Sequence, residues 1–306
     1  MATAVPVSRT LDFAYGRVDR LTPLIRRVIA RNPSPFTFHG TGTYIVGRGE
    51  VAVIDPGPAI AAHVEAILDA VADETVTHIF VTHTHRDHSP AAALLHDATG
   101  APTYGFGPHG SGRPEAGGEV EEGGDHAFKP QHKVRSGTTI KGKGWTFTAL
   151  HTPGHTSNHI CYALKEEAAL FSGDHVMGWS TTVISPPDGD MQAYFRSLRS
   201  CLERAGSADR TYYPTHGAPI ADPKRYVTAL IAHREDREAE IARCLTEGIV
   251  TIPAMVARMY ADIPAILHPA AARSVLAHLV HMVETGRAGR ADCDGPPTEA
   301  AVYRRR

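Results

Sequence analysis

Residues 77–88 read THIFVTHTHRDH, a short apolar strand that ends abruptly in a cluster of polar side chains. On a helix, His83 and His85 would point about 200° apart, whereas a turn at the end of a strand can bring them together. Asp87 and His88 follow directly. Imidazole and carboxylate groups are suitable ligands for zinc, iron or manganese. Because this cluster has no simple packing explanation, the stretch predicts a metal site after a strand.

The neighbouring sequence predicts strands covered by helices. Residues 36–54 hold two β-branched runs on either side of a Gly-Arg-Gly turn, which is typical of a hairpin. Apolar residues at positions 60, 64, 67, 68 and 71 predict an amphipathic helix, and a second helix is expected over 90–98. This β-α-β-α alternation indicates an α/β fold.

Three more predicted strands end in side chains that can bind metal. His155 follows strand 145–150, Asp174 and His175 follow strand 169–172, and His216 follows strand 211–213. Loops at one edge of a sheet are where a rigid scaffold places chemistry. Any one of these signals alone would be weak, but together with residues 83–88 they predict one shared site.

In this order, the motifs His83-x-His85-x-Asp87-His88, His155, Asp174 and His216 resemble those of the metallo-β-lactamase fold. Asp55, at the close of the strand VAVID, supplies the first motif. The resemblance implies an αββα sandwich with two divalent metals at one edge. Zinc is the preferred metal, and iron or manganese are the alternatives. It further implies the following roles: His83, His85 and His155 bind one metal, Asp87, His88 and His216 bind the other, Asp174 bridges them, and Asp55 orients a ligand.

A second resemblance covers roughly residues 24–290. Residues 32–44 and the stretch from His233 to Leu279 are similar to the β-lactamase-like protein 2 branch, in which the C-terminal region is winged-helix-like. We therefore expect a catalytic domain over 1–221, a small, mainly helical domain over 222–290 and a flexible tail over 291–306. Pro223, Pro253 and Pro269 are predicted to start helices.

Two features depart from that branch. The glycine-rich segment 105–137 looks like an insertion, and it is either a mobile flap or an ordered loop that shapes the substrate site. His175 stands where the branch usually has a smaller residue. His175 and His159 are candidates for donating a proton to the leaving group, for supporting a ligand, or for packing alone.

These residues predict a dinuclear metal-dependent hydrolase. Its nucleophile would be a metal-bridging hydroxide, which needs no serine or cysteine, and Asp87 would bind one metal and orient that hydroxide. The bond cleaved would be of the ester type: a phosphodiester, a thioester or a lactone. A glyoxalase-II-like thioesterase is the alternative, and two classes outside hydrolysis are a flavodiiron-like redox protein and a winged-helix nucleic-acid-binding protein with a vestigial metal site.

Charge and composition limit the partners. The net charge of −2 argues against a general polyanion binder, although a small molecule or single-stranded nucleic acid both remain open as substrates. Five arginines after residue 222 could form a basic patch, but Glu235, Glu238 and Glu240 interleave with them, which predicts a solvated, salt-bridged helix face. The four separated cysteines and the absence of a secretory pattern or a long apolar run predict a cytoplasmic protein that does not cross a membrane. A homodimer is an open alternative.

Overall fold

Two β-sheets form the centre of the fold in the computed structural model, which describes residues 3–112, 123–262 and 264–306. Within these residues the first sheet has seven strands, ordered as in the chain: β1 Asp19–Arg20, β2 Ile25–Ile29, β3 Gly42–Arg48, β4 Glu50–Ile54, β5 Thr75–Phe80, β6 Thr103–Gly105 and β7 His132–Lys133. Neighbouring strands from β1 to β4 are antiparallel, and those from β4 to β7 are parallel. The predicted hairpin is β3–β4.

The second sheet has five strands in the described residues, in the spatial order β12-β11-β10-β9-β8. They are β8 Thr139–Gly142, β9 Trp145–His151, β10 Ile160–Leu164, β11 Ala169–Gly173 and β12 Thr211–Pro214. All neighbours are antiparallel except β11 and β12, which are parallel. Consequently β9, β11 and β12 run in the same direction.

The two sheets pack face to face, and helices cover their outer faces. The period-2 alternation of a strand explains how one sequence serves both faces: in β4, Ala52 and Ile54 join the core between the sheets, whereas Val51 and Val53 pack against the helices. Helices α1 (Ala61–Ala70) and α2 (Ala91–Thr99) cover the first sheet. Helix α3 (Met191–Arg204) and the first half of α4 (Pro223–Thr246) cover the second. The predicted αββα sandwich is confirmed.

The second half of α4 packs with α5 (Ile252–Met259) and α6 (His268–Glu284) around a separate apolar cluster, and a 3₁₀ helix (Ala265–Leu267) directly precedes α6. Each predicted proline lies in the first turn of its helix. Because the first half of α4 contributes Tyr226 and Leu230 to the core on the second sheet, this helix belongs to both cores. The domain boundary at residue 222 stays a prediction.

The predicted flexible tail, residues 291–306, ends in a strand, while its flexibility stays a prediction. Residues 303–305 form β14, which pairs antiparallel with β13 (Ala288–Arg290). Ala301 and Tyr303 are buried, and the Tyr303 hydroxyl donates to the carbonyl of Thr298. The three terminal arginines suggested a frayed end, whereas the apolar residues just before them hold this segment in place.

The predicted solvated face of α4 is wrong at two positions. Arg234 is 3 % exposed and Glu238 is 4 % exposed. The Glu238 carboxylate accepts from His278 and His281 of α6 and pairs with Arg287 at 2.5 Å. Alternating charges on a helix resemble a solvent-facing pattern, but here partners on other elements cover them.

The structure describes residues 105–112 and 123–137 of the predicted glycine-rich insertion, and residues 113–122 lie outside the described part of the chain. For those ten residues the prediction of a mobile flap or an ordered loop lies outside the described residues. The described parts contact residues close to the predicted ligands: Ser89 donates to Asp125, and Asn158 donates to the carbonyls of Gly107 and Pro108. Among the described residues, no helix is long and apolar enough to cross a membrane.

The burial of His278 predicts a pH-dependent stability. Burial is the main cause that lowers the pKa of His278 to about 4, and the hydrogen bond with Glu238 opposes it only in part. The unfolded chain has an ordinary histidine pKa of about 6.5, so below that pH the unfolded state binds the proton that the folded state excludes. Between pH 7 and 5 the wild type should therefore lose about 1–2 kcal/mol more unfolding free energy than His278→Asn.

Urea unfolding at both pH values measures this difference. Titration of the metal-ligand histidines affects both proteins and cancels in the comparison. His132→Asn, on the exposed strand β7, is the matched control and should behave like the wild type. If the wild type and His278→Asn lost equal unfolding free energy between pH 7 and 5, His278 would not be the cause of the pH dependence.

Candidate metal centre

The predicted ligands meet at one edge of the sandwich because of strand direction. Strands β4, β5, β9, β11 and β12 all carry these residues just beyond their carboxyl ends. The turns after β4 and β5 lie side by side because those strands are parallel, and the same holds for β11 and β12. Facing sheets then bring the two sets together.

Three imidazoles form the first group. His85 Nδ1 lies 2.9 Å from His83 Nε2 and 3.0 Å from His155 Nε2. Two nitrogens bound to one tetrahedral zinc at about 2.0–2.1 Å lie about 3.3–3.4 Å apart, close to this spacing. His83, His85 and His155 are buried, so the three nitrogens face one another away from solvent. The arrangement can hold one metal ion.

Asp87, His88 and His216 form the second group. Asp87 Oδ2 lies 3.2 Å from His88 Nε2 and 3.1 Å from His216 Nε2. The side chain of Asp87 is 19 % exposed, while the two imidazoles are buried, so this group reaches solvent through Asp87. The set is again one that can hold a metal ion.

Asp174 lies between the two groups. Its Oδ2 is 3.7 Å from His155 Nε2, and its Oδ1 is 3.6 Å from His88 Nε2 and 3.4 Å from His216 Nε2. One carboxylate oxygen thus faces each group. This is the placement that the bridging role of Asp174 requires.

The outer ring nitrogens of four histidines have fixed partners. Nδ1 of His155 donates to the carbonyl of Val183 at 2.6 Å, and Nδ1 of His216 donates to the carbonyl of Gly40 at 3.2 Å. Nδ1 of His83 lies 3.1 Å from the hydroxyl of Thr82, and Nδ1 of His88 lies 3.0 Å from a carboxylate oxygen. A proton held on Nδ1 leaves the lone pair of Nε2 directed inward, as a metal ligand requires.

The carboxylate that His88 contacts is Asp55. Asp55 is 1 % exposed, and it also accepts from the Thr82 amide at 2.7 Å and from the hydroxyls of Thr82 and Thr215 at 2.8 and 2.9 Å. Its φ of +48° lies in the left-handed region, which aspartate tolerates better than most residues. Asp55 therefore joins the turns after β4, β5 and β12 and orients His88. The sequence did not single out Thr82 and Thr215, although each directly precedes a histidine that is predicted to bind metal.

Electrostatics divide the site into two halves. Burial, reinforced by the neighbouring imidazoles, lowers the pKa of His83 and His85 well below the usual value, and burial lowers that of His155. Burial also opposes charge on His216, but Asp174 and Asp87 outweigh it and raise that pKa to about 10. The first half is thus neutral imidazole at neutral pH. In the second half the carboxylates hold a second proton on His216, which a bound metal ion would displace.

The donor set fits a divalent cation. His88 Nε2 and Asp174 Oδ1 are buried without a hydrogen-bond partner, and both point into the space between the two groups. A buried polar atom without a partner costs free energy, which a cation placed there would recover. Nitrogen and carboxylate ligands suit zinc, and iron or manganese accept them as well.

His159 and His175 lie behind the ligands. His159 Nε2 accepts from the amide of Asp174 at 3.2 Å, and its Nδ1 lies 2.8 Å from the Thr152 hydroxyl. The ring of His175 lies 6.0 Å from that of His159 and 5.1 Å from that of Tyr194, and both histidines are fully buried. Of the three roles predicted for them, this geometry favours ligand support for His159 and packing for His175 over proton donation.

Comparisons with known proteins agree with this geometry. The sequence profile of the metallo-beta-lactamase superfamily matches residues 37–216, and that of the beta-lactamase associated winged helix domain matches residues 251–295. The predicted winged-helix-like domain is thereby confirmed.

Individual proteins support the same assignment. An atrochrysone carboxyl ACP thioesterase of Cryptosporiopsis sp. (strain 8999) is 30 % identical over 265 residues, covering 80 % of this chain and 74 % of that protein. A beta-lactamase-like protein 2 homolog of Caenorhabditis elegans is 30 % identical over 278 residues, covering 88 % of this chain and 87 % of that protein. The crystal structure of a metallo-beta-lactamase family protein from Thermus thermophilus shares the fold, with a TM-score of 0.73 at 24 % identity over 94 % of this chain and all of that one. The chain is therefore a hydrolase that belongs to the metallo-beta-lactamase superfamily.

Proposed function

We propose that this protein is a dinuclear metal-dependent thioesterase. The observation that carries the proposal is the pair of ligand groups that share Asp174, at the edge of a chain whose relative over 80 % of its length is named a thioesterase. The predicted glyoxalase-II-like alternative belongs to the same reaction class. A phosphodiester or lactone substrate is an outcome of the test below.

Each half of the site would hold one ion. His83, His85 and His155 would hold the first, Asp87, His88 and His216 the second, and Asp174 would contact both. When bound, such ions lower the pKa of water towards about 7 and polarise a substrate carbonyl. Zinc is the proposed metal because the first half offers three neutral imidazoles.

Asp87 has two tasks in this proposal. Its Oδ2 faces His88 and His216, where it would bind the second ion. Asp87 is also the most exposed member of the two groups, so a carboxylate oxygen is available to accept a hydrogen bond from the attacking water. Attack of this water on the carbonyl carbon of the thioester would break the C–S bond. The thiolate that leaves would then take up the proton that the water gives up.

Two stacked aromatic rings, on segments that contact the second ligand group, would suit a planar acyl group. The rings of Phe38 and Trp179 stack in parallel at 4.9 Å, and both side chains are half-buried. The hydroxyl of Thr41, three residues after Phe38, lies 3.4 Å from Asp87, and Trp179 follows Gly178, whose amide donates to the carbonyl of His216. Phe38 has a φ of +59°, a conformation that persists in a non-glycine residue only where its surroundings impose it.

The function is tested on zinc-loaded full-length protein with a panel of substrates. It contains an aromatic and an acetyl thioester of one pantetheine-type thiol, S-lactoylglutathione, an acyl-homoserine lactone, single-stranded RNA and bis(p-nitrophenyl) phosphate. We expect thioester hydrolysis, with a lower KM for the aromatic acyl group. Hydrolysis of the lactone, the RNA or the phosphate diester, with no cleavage of any of the three thioesters, would refute the thioesterase.

Asp55→Asn should weaken the binding of the second metal ion. The amide cannot accept the hydrogen bonds that the carboxylate takes from Thr82, Thr215 and His88 together, so His88 loses its fixed orientation. Loss of such an outer partner costs about 10–100-fold in metal affinity. Competition with a chromogenic chelator measures the affinity, and Asp73→Asn, on the surface, is the control. An unchanged affinity for the weaker-bound ion would refute the orienting role.

Asp87→Asn should reduce turnover even when metal is saturating. The amide keeps the size of the side chain but removes the charge, so metal binds more weakly and the attacking water loses an acceptor. We expect about a 10²–10³-fold loss of kcat, equivalent to about 2.7–4 kcal/mol in the barrier, with Asp97→Asn on the surface of α2 as the control. Full recovery of activity in excess zinc would show that Asp87 only binds metal and does not orient the attacking water.

A further inference from the structure

Arg234 of helix α4 reaches from the C-terminal part of the chain into the back of the site. Its guanidinium donates through Nη2 to the carbonyl of Thr182 and lies 5.5 Å from the centre of the Tyr194 ring. In the described residues, every group of side chains able to hold a metal precedes residue 217, so Arg234 is not itself a ligand. Its contacts instead concern the segment that holds two ligands in place.

That segment is Thr182-Val183. The Thr182 hydroxyl donates to the carbonyl of Asp174 at 2.8 Å and approaches that of His175 at 3.2 Å. The Val183 carbonyl accepts the Nδ1 proton of His155 at 2.6 Å. Two adjacent residues therefore fix the backbone of the shared carboxylate and the ring of a histidine in the first group.

The burial of Arg234 is not explained by stability alone. The side chain is 3 % exposed, and its Nε is buried without a hydrogen-bond partner. Removing a guanidinium from water is costly, and a hydrophobic residue of similar volume often serves stability as well or better. What such a residue would lack is a charged donor for the carbonyl of Thr182, and charge-assisted hydrogen bonds are stronger and better oriented than neutral ones.

We propose that Arg234 is a positioning residue for the metal centre. By holding the Thr182 carbonyl, it sets the position of the next carbonyl, which keeps the Nε2 lone pair of His155 directed at the other two imidazoles. Helix α4, which packs on both cores, thereby contributes to the geometry of the ligands. This inference rests on the metal site proposed above but not on the identity of the substrate.

The test uses zinc binding by the full chain, measured by chelator competition, together with the visible absorption of the cobalt-substituted protein. Arg234→Met removes the donor and keeps most of the volume, and Arg234→Lys keeps the charge and one donor. Arg237→Met is the matched control, because Arg237 lies one turn away and contacts Glu240 at 2.7 Å and the ring of Tyr260. Thermal unfolding by circular dichroism is recorded for each protein.

We expect Arg234→Met to bind the ion at His155 about 10–100-fold more weakly and to show altered cobalt bands. Arg234→Lys should recover part of that affinity, and Arg237→Met should match the wild type. Wild-type zinc affinity and cobalt spectrum in Arg234→Met would overturn the proposal, as would an equal loss in Arg237→Met.

If Arg234→Met does not fold, Arg234→Gln, which keeps a donor but removes the charge, decides. Weaker zinc binding and altered cobalt bands at an unchanged melting temperature support the proposal, and wild-type binding with wild-type bands overturns it. A wild-type chain that bound no zinc would refute the metal site and this inference together. A chain that binds zinc but hydrolyses no thioester would leave the positioning role standing and refute only the proposed substrate.

Discussion

The structure depends on the partners that hold the outer nitrogens of four buried imidazoles, so that their inner nitrogens point at the other predicted ligands. His155 and His216 donate to backbone carbonyls, and His88 contacts Asp55. Each partner lies on a different turn from the histidine that it holds, so the site requires that turns from both sheets stay in register. Burial of these groups would be unfavourable without such partners, and a cation between them would use the remaining lone pairs.

Strand direction explains why the sequence was informative about this site. Asp55, His83, Asp174 and His216 follow the ends of strands that are parallel in pairs, and the parallel arrangement brings turns distant in the chain to one edge. The periodicity of the strands and the polar residues after them are local signals, which sequence analysis detects. The sequence does not indicate which ring nitrogen of His85 faces inward. That orientation depends on a contact with His155, which approaches from the other sheet.

Predictions from the sequence are wrong where contacts with distant residues override a local pattern of charges. Arg234 and Glu238 alternate with other charges on α4, which predicted solvent exposure, yet the Thr182 carbonyl covers the first and His278 and His281 cover the second. The terminal segment is a second example of such contacts. Its arginines suggested a frayed end, but Tyr303 is buried and residues 303–305 pair with β13. In each case the partner lies on another element of the fold.

Helix α4 connects the two parts of the chain. Its first half packs on the second sheet, and its second half packs on α5 and α6. The proposed centre has two ions, one in each ligand group, that share Asp174. Anomalous diffraction from zinc-loaded crystals would locate them. We expect two peaks, one among His83, His85 and His155 and one among Asp87, His88 and His216, with a carboxylate oxygen of Asp174 directed at each. A single peak at saturating zinc would contradict the proposal.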